Sequence, residues 1–350
     1  MNYFTKTTLL ILVLALLSAT LVACGLQHQS VPEVAVVPIP DVVVHELFSP
    51  SAYLNNTPEV QARGISVGFV WPEHRDEHPS QRPQTVEVSL ATSELFAPLL
   101  IVQMKEETTA LVSVLLDFKQ IEFELDGQMG LLHEIRLEPG TELEIPIKVD
   151  IADPGTHELA VLVFADPYNG SLDPMYRMSG LSSKVGGRRA IVVVGDSAEV
   201  AEVLPPARPG HAIPEDVDFG LVGVMFASSP TSRNSHPVDR QLYVAQGRAG
   251  EPFHYQLWVS NQGSNQTTEF ALVAFQDYHQ VLVDDLDVTV ARLEADQEAI
   301  IDSHVSLPLT PGVSQMQVVY ILDPYKSILH EEVAAPFTLA TERIAIHVTD

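Results

Sequence analysis

The chain has 350 residues, 46% of them hydrophobic and 19% charged, the proportions of an ordinary folded protein with room for two or three domains. Its 19 Lys and Arg stand against 46 Asp and Glu, a formal net charge of −27, which excludes the basic face that nucleic acid needs. A single cysteine, Cys24, excludes any disulfide within the chain.

The first element in chain order is an export signal. Lys6 is the only charged side chain before Cys24, residues 9–17 are unbroken aliphatic, and SATLVA leads into the cysteine. The apolar run at 9–23 is shorter than the roughly 20 residues a spanning helix needs. The four residues LVAC at 21–24, with Gly25 behind them, resemble the lipobox of bacterial lipoproteins. That resemblance implies a signal peptide over 1–23, cut before Cys24, and a diacylglyceryl group on the Cys24 thiol. It also implies lipid anchoring at a cell membrane, facing outside the cytoplasm, at the cell surface or in the periplasm. Residues 24–45 are rich in Val and Pro, and Pro32, Pro38 and Pro40 favour extended chain, so they read as a tether.

Beyond the tether, strands dominate. GISVGFVW, QTVEVSLAT, LVSVLLDF, ELEIPIKVDI, HELAVLVFA and RRAIVVVG are short runs of β-branched, aliphatic and aromatic residues, separated by turn signals such as DGQMG, ADPG and DPYNGS. The second half repeats the first in order. HPSQR at 78–82 returns as HPVDR at 236–240, DFKQ at 117–120 as DYHQ at 277–280, and RLE at 136–138 at 292–294. PG at 154–155 returns at 311–312, DPY at 166–168 at 323–325, and RRAIVVVGD at 188–196 as ERIAIHVTD at 342–350. The offsets all lie between 154 and 160 residues, the mark of a duplication with small loop changes. The pattern predicts an all-β protein: two tandem, duplicated immunoglobulin-like β-sandwich domains after a signal peptide. The first domain is expected over 46–197, a Pro-rich linker over 198–217 and the second domain over 218–350.

No pattern of residues calls for catalysis or a cofactor. EHRDEH at 73–78 spaces two histidines as zinc sites do, but Pro72 and Pro79 bracket it as a loop, so no metal is expected. The His-Pro-x-x-Arg word, His78 with Arg82 and His236 with Arg240, offers an Arg fork to a backbone neighbour or to a carboxylate or phosphate ligand. In DFKQ and DYHQ, Asp suits a turn, the aromatic suits burial, and the Gln amide suits closure of a buried backbone pair. The long first-copy loop at 166–187 gathers Asp166, Tyr168, Tyr176 and Arg177, residue types that suit an envelope protein or a glycan as partner. The expected function is a lipid-anchored, non-catalytic binding or structural module, membrane-held through acylated Cys24. An envelope hydrolase on the first-domain loops and a solute-binding lipoprotein of a transporter are the alternatives.

Overall fold

The computed structural model describes residues 39–49, 65–69, 87–90, 94–103, 107–139, 142–178, 185–195, 199–200, 204–217, 220, 222–229, 235–326 and 338–350. The first copy supplies β1 (Val42–Val44), β2 (Ile65–Phe69), β3 (Glu87–Leu90), β4 (Glu94–Gln103), β5 (Thr108–Leu116) and β6 (Lys119–Ile121). It continues with β7 (Phe123–Leu125), β8 (Gln128–Gly130), β9 (Leu132–Leu137), β10 (Glu142–Asp150), β11 (Gly155–Ala165), a short helix α1 (Pro174–Met178) and β12 (Val185–Val194). The second copy supplies β13 (Arg208–Pro209), β14 (His211–Ala212), β15 (Val222–Ser228), a 3-10 turn (Pro237–Arg240), β16 (Val244–Arg248) and β17 (Pro252–Asn261). It ends with β18 (Thr268–Gln276), β19 (His279–Val281), β20 (Thr289–Leu293), β21 (Gln297–Ser306), β22 (Gly312–Leu322), β23 (Thr338–Ala340) and β24 (Ile344–Thr349).

These strands form four sheets, two per copy. The first copy has an inner sheet, β1-β9-β5-β11-β12-β3 with β6 on β5, and an outer sheet, β2-β4-β10-β7-β8. The second copy has an inner sheet, β13-β20-β18-β22-β24-β16 with β19 on β18 and β23 on β22, and an outer sheet, β14-β21-β17-β15. The central order β9-β5-β11-β12 recurs as β20-β18-β22-β24, so the duplication read from the sequence is a duplication of topology. Each copy is an immunoglobulin-like β-sandwich, and the described residues form one compact unit.

Burial follows the side-chain pattern of each strand. In β10, Leu143, Ile145, Ile147 and Val149 point into the first sandwich, while Glu144, Pro146 and Lys148 alternate outward, as in a sheet with one covered face. β11 and β22 do not alternate; nine consecutive residues of each, 157–165 and 314–322, are buried. Such strands need cover on both faces. One face meets the copy's own outer sheet, through separate cores in the first and second sandwich. The other face meets the inner sheet of the opposite copy. Leu111, Leu115, Leu162 and Phe164 pack there against Val273, Phe275, Val319 and Ile321 in a third core.

The Pro-rich segments are part of this architecture. Residues 42–44 of the expected tether pair in parallel with Leu132–Glu134 of β9. Residues 208–209 of the expected linker pair in parallel with β20, the repeat equivalent of β9, and residues 211–212 pair with β21. Each sandwich thus takes its edge strand from the segment ahead of it. Proline lacks an N–H, so such a segment can join a sheet only at its edge, where β13 and β14 lie. Residues 24–38 of the tether, and Cys24 with them, lie outside the described residues.

Candidate functional site

The repeated words converge on the seam between the inner sheets. In each copy the word closes a two-residue hairpin, β5–β6 and β18–β19. Its central residues take left-handed backbone, φ 48° and 68° at Asp117 and Phe118, and the same values at Asp277 and Tyr278. This is the turn that fits strand twist, yet an aromatic residue there is costly, and it persists only where its surroundings fix it. Phe118 and Tyr278 are both buried in the third core. Phe118 meets Tyr325 edge-on at 5.5 Å, and Tyr278 meets Phe164 at 5.1 Å. Each aromatic therefore reaches the opposite copy.

The glutamines complete a local two-fold. Gln120 N–H donates to Gln280 Oε1 at 2.6 Å, and Gln280 N–H donates to Gln120 Oε1 at 2.8 Å. The Gln120 amide donates to the Tyr278 carbonyl at 3.0 Å, and the Gln280 amide donates to the Phe118 carbonyl at 2.9 Å. The expectation that this amide closes a backbone pair is met, but the pair belongs to the other copy. Each aspartate accepts a backbone bond from its own copy, Asp117 Oδ1 from Glu158 N–H and Asp277 Oδ1 from Gln315 N–H, and Asp117 Oδ1 also accepts from the Tyr325 hydroxyl across the seam at 3.0 Å.

Around that axis the two copies diverge. Glu158 is fully buried and takes a bidentate pair of bonds from the equally buried Arg189, at 2.6 and 2.7 Å. Burial pushes the Glu158 carboxyl up, and the Arg189 charge pulls it back. Arg189 also donates to the Leu322 carbonyl across the seam, and Glu158 accepts from Tyr325 N–H. In the second copy Gln315 stands where Glu158 does, and Arg343 stands where Arg189 does. Arg343 donates to the Tyr278 hydroxyl and to the Ala165 carbonyl, the repeat partner of Leu322. Gln315 Oε1 accepts instead from Arg177 at 3.0 Å, and its amide donates to the Pro167 carbonyl.

That contact explains the long loop of the first copy. Helix α1 carries Arg177, whose side chain is fully buried and donates to the carbonyls of Ser171 and Asn169 as well as to Gln315. Burial, helped by the nearby Arg343 charge, pushes the Arg177 guanidinium down to about 10, still protonated at neutral pH. Tyr176 donates to the Asp166 carboxylate, and Tyr168 to Glu134. Burial first, and then those carboxylates, push both phenols up. Asp166, Tyr168, Tyr176 and Arg177 are thus gathered at one end of the seam. His157, which sequence reasoning did not single out, sits between Asp117 Oδ2 at 2.7 Å and the Asp153 carbonyl at 2.8 Å. Both ring nitrogens face oxygen atoms of the first copy.

The His-Pro-x-x-Arg word of the second copy lies elsewhere, over the outward side of the second outer sheet. His236 caps the 3-10 turn through Val238 N–H, faces buried Glu298 at 2.9 Å and stands edge-on to Trp258 at 5.6 Å. The Trp258 indole donates to the same carboxylate at 2.6 Å, and Trp258 is fully buried. Arg240 donates to the carbonyls of Ser228 and Ser235 and to Gln256. The word roofs an outward-facing tryptophan. Its first-copy counterparts, His78 and Arg82, lie outside the described residues.

No family model matches the chain, and no curated protein does. Among solved structures, a CARDB domain from Pyrococcus furiosus is 10% identical, with a TM-score of 0.24, and covers 36% of this chain and 86% of that one. WR4, an MSP family member of C. elegans, is 10% identical, with a TM-score of 0.21 over 38% of this chain and all of that one. Red sea bream transglutaminase is 8% identical, with a TM-score of 0.23 over 82% of this chain and 31% of that one. These likenesses carry no argument about function.

Proposed function

We propose that the chain is a lipid-anchored extracytoplasmic module that binds or spaces other envelope components and performs no catalysis. The observation that carries this reading is the third core. Two sandwiches joined through paired inner sheets and four reciprocal glutamine bonds make a stiff body, suited to present its outer sheets in fixed orientation. The charged groups of that seam serve the joint, since Arg177, Arg189 and Arg343 each donate to the opposite copy. The lipobox at 21–24 supplies the anchor, and a diacyl group on Cys24 satisfies the need for two chains in stable membrane attachment. Among the described residues no helix is long and apolar enough to cross a membrane. The net charge of −27 keeps such a body away from anionic headgroups.

The test is expression of the full chain and of Cys24→Ser, followed by membrane fractionation and intact-mass analysis. The wild type is expected in the membrane fraction, with the mass of the chain from Cys24 plus its lipid. Cys24→Ser is expected to lose both the lipid and the retention. Equal retention and equal mass after allowing for the substitution would end the lipid-anchor reading. Photo-crosslinking of the anchored protein in intact envelopes then tests the binding half, with one crosslinked partner expected on the outer sheets.

A further inference from the structure

We infer that β1 is an acid-released latch, closed by the His45–His133 pair, which fastens the chain ahead of it to the first sandwich. Its regular pairing is only three residues long, followed by one bond from His45 N–H to the Glu134 carbonyl. The imidazoles supply the fastening. His45 Nε2 and His133 Nδ1 are 2.8 Å apart, and both rings are buried, at 8% and 0% exposure. His133 Nε2 faces two carbonyls, Phe123 at 3.1 Å and Gly130 at 3.3 Å, so it is the protonated nitrogen. His133 Nδ1 must then accept, and His45 Nε2–H must donate. With both rings protonated, two N–H groups would face each other across 2.8 Å, both on buried rings.

The surroundings favour the neutral pair. Phe123 from β7 stacks edge-on against His133 at 4.6 Å, and Phe48 packs beside His45. From β8, the Gln128 amide lies 3.5 Å from His45 Nδ1. The Glu134 carboxylate of β9 is taken by Tyr168. Among the described residues, Asp126 on the β7–β8 turn is the charge that favours protonated His45, and burial outweighs it. Gly130 is part of the fit, because a Cβ there would lie 2.7 Å from the Val43 side chain. Burial lowers His45 and holds His133 down to about 4. Once β1 leaves, His45 loses its burial and rises toward the ordinary histidine range, and His133 loses the cover that β1 gave it.

The sign follows. The closed state binds fewer protons than the open one, so its advantage is full above about 6.5 and shrinks as the pH falls toward 4. Within that window the opening constant rises by up to about tenfold per pH unit for each proton taken up. If the lipid anchor of the preceding section holds, opening lengthens the tether; the latch itself does not depend on the anchor.

The test is amide hydrogen exchange on the intact protein from pH 7 to pH 4, with rates corrected for the intrinsic pH dependence of exchange. Exchange at residues 43–46 is expected to accelerate on acidification while β18 and β22 stay protected. His133→Gln, which keeps polar groups but cannot take a proton, is expected to flatten that response, as is His45→Gln should the first variant not fold. Corrected exchange that is flat with pH in the wild type, or an unchanged acid response in the folded variants, would overturn the latch. So would loss of protection in β18 and β22 at the same pH, since that is global unfolding.

Discussion

Gln120 and Gln280 each make bonds that no single copy could satisfy, and each covers a backbone group of the other. Gln120→Ala removes the acceptor for Gln280 N–H and the donor for the Tyr278 carbonyl. The expected loss is about 1–3 kcal/mol, because the groups left behind stay covered. Gln120→Ala with Gln280→Ala should cost less than the sum of the singles, which a double-mutant cycle by urea titration would measure. Glu158 and Arg189 form a buried pair of a different kind. Glu158→Gln strands a buried guanidinium, and the expected loss is about 3–5 kcal/mol. Joint replacement by apolar residues of similar volume should recover much of that loss in the same titration. The natural contrast is in the chain itself: Gln315 occupies the equivalent place, and there Arg343 turns to Tyr278 and Ala165 rather than to a carboxylate.

At the scale of elements, the hairpin word is where sequence and structure inform one another most. An Asp followed by an aromatic, in the same order in both copies, pointed to a turn with a buried ring, and the turn and the burial are both present. What the word could not reveal is whose core receives the ring, because a side chain packs identically against its own sheet or another. The unbroken apolar runs of β11 and β22 carry that information: a strand buried on both faces needs a second cover, and a lone sandwich supplies only one. Arg177 was visible as a loop cation, but its burial depends on Gln315, 138 positions away, beyond the reach of local pattern. The roof over Trp258 yields its own prediction. In a Trp71→Phe background, His236→Ala should shift Trp258 emission to the red and lower stability by about 1–3 kcal/mol, since Glu298 loses a partner. Unchanged emission would mean that His236 does not hold the roof.

For the whole molecule, duplication, strand content and the division into two sandwiches were legible, because they rest on repeated words and local periodicity. What the expected Pro-rich linker over 198–217 did not convey is how closely the copies pack. The 204–217 segment lies along the second sandwich, and the copies share a core instead of hanging apart. The seam has the form of a two-fold dimer interface made within one chain: the same patch serves both sides, with small departures at Glu158 and Gln315. Such a joint couples the stabilities of its halves. Phe118→Ala, in the first copy, should therefore destabilise both, by about 3–5 kcal/mol in total. The measurement that tests this most directly is differential scanning calorimetry of the wild-type protein. A shared core predicts a single transition with calorimetric and van't Hoff enthalpies in agreement. Two resolved transitions, or a calorimetric enthalpy about twice the van't Hoff value, would show two sandwiches unfolding independently and would contradict the seam as the organising feature of this protein.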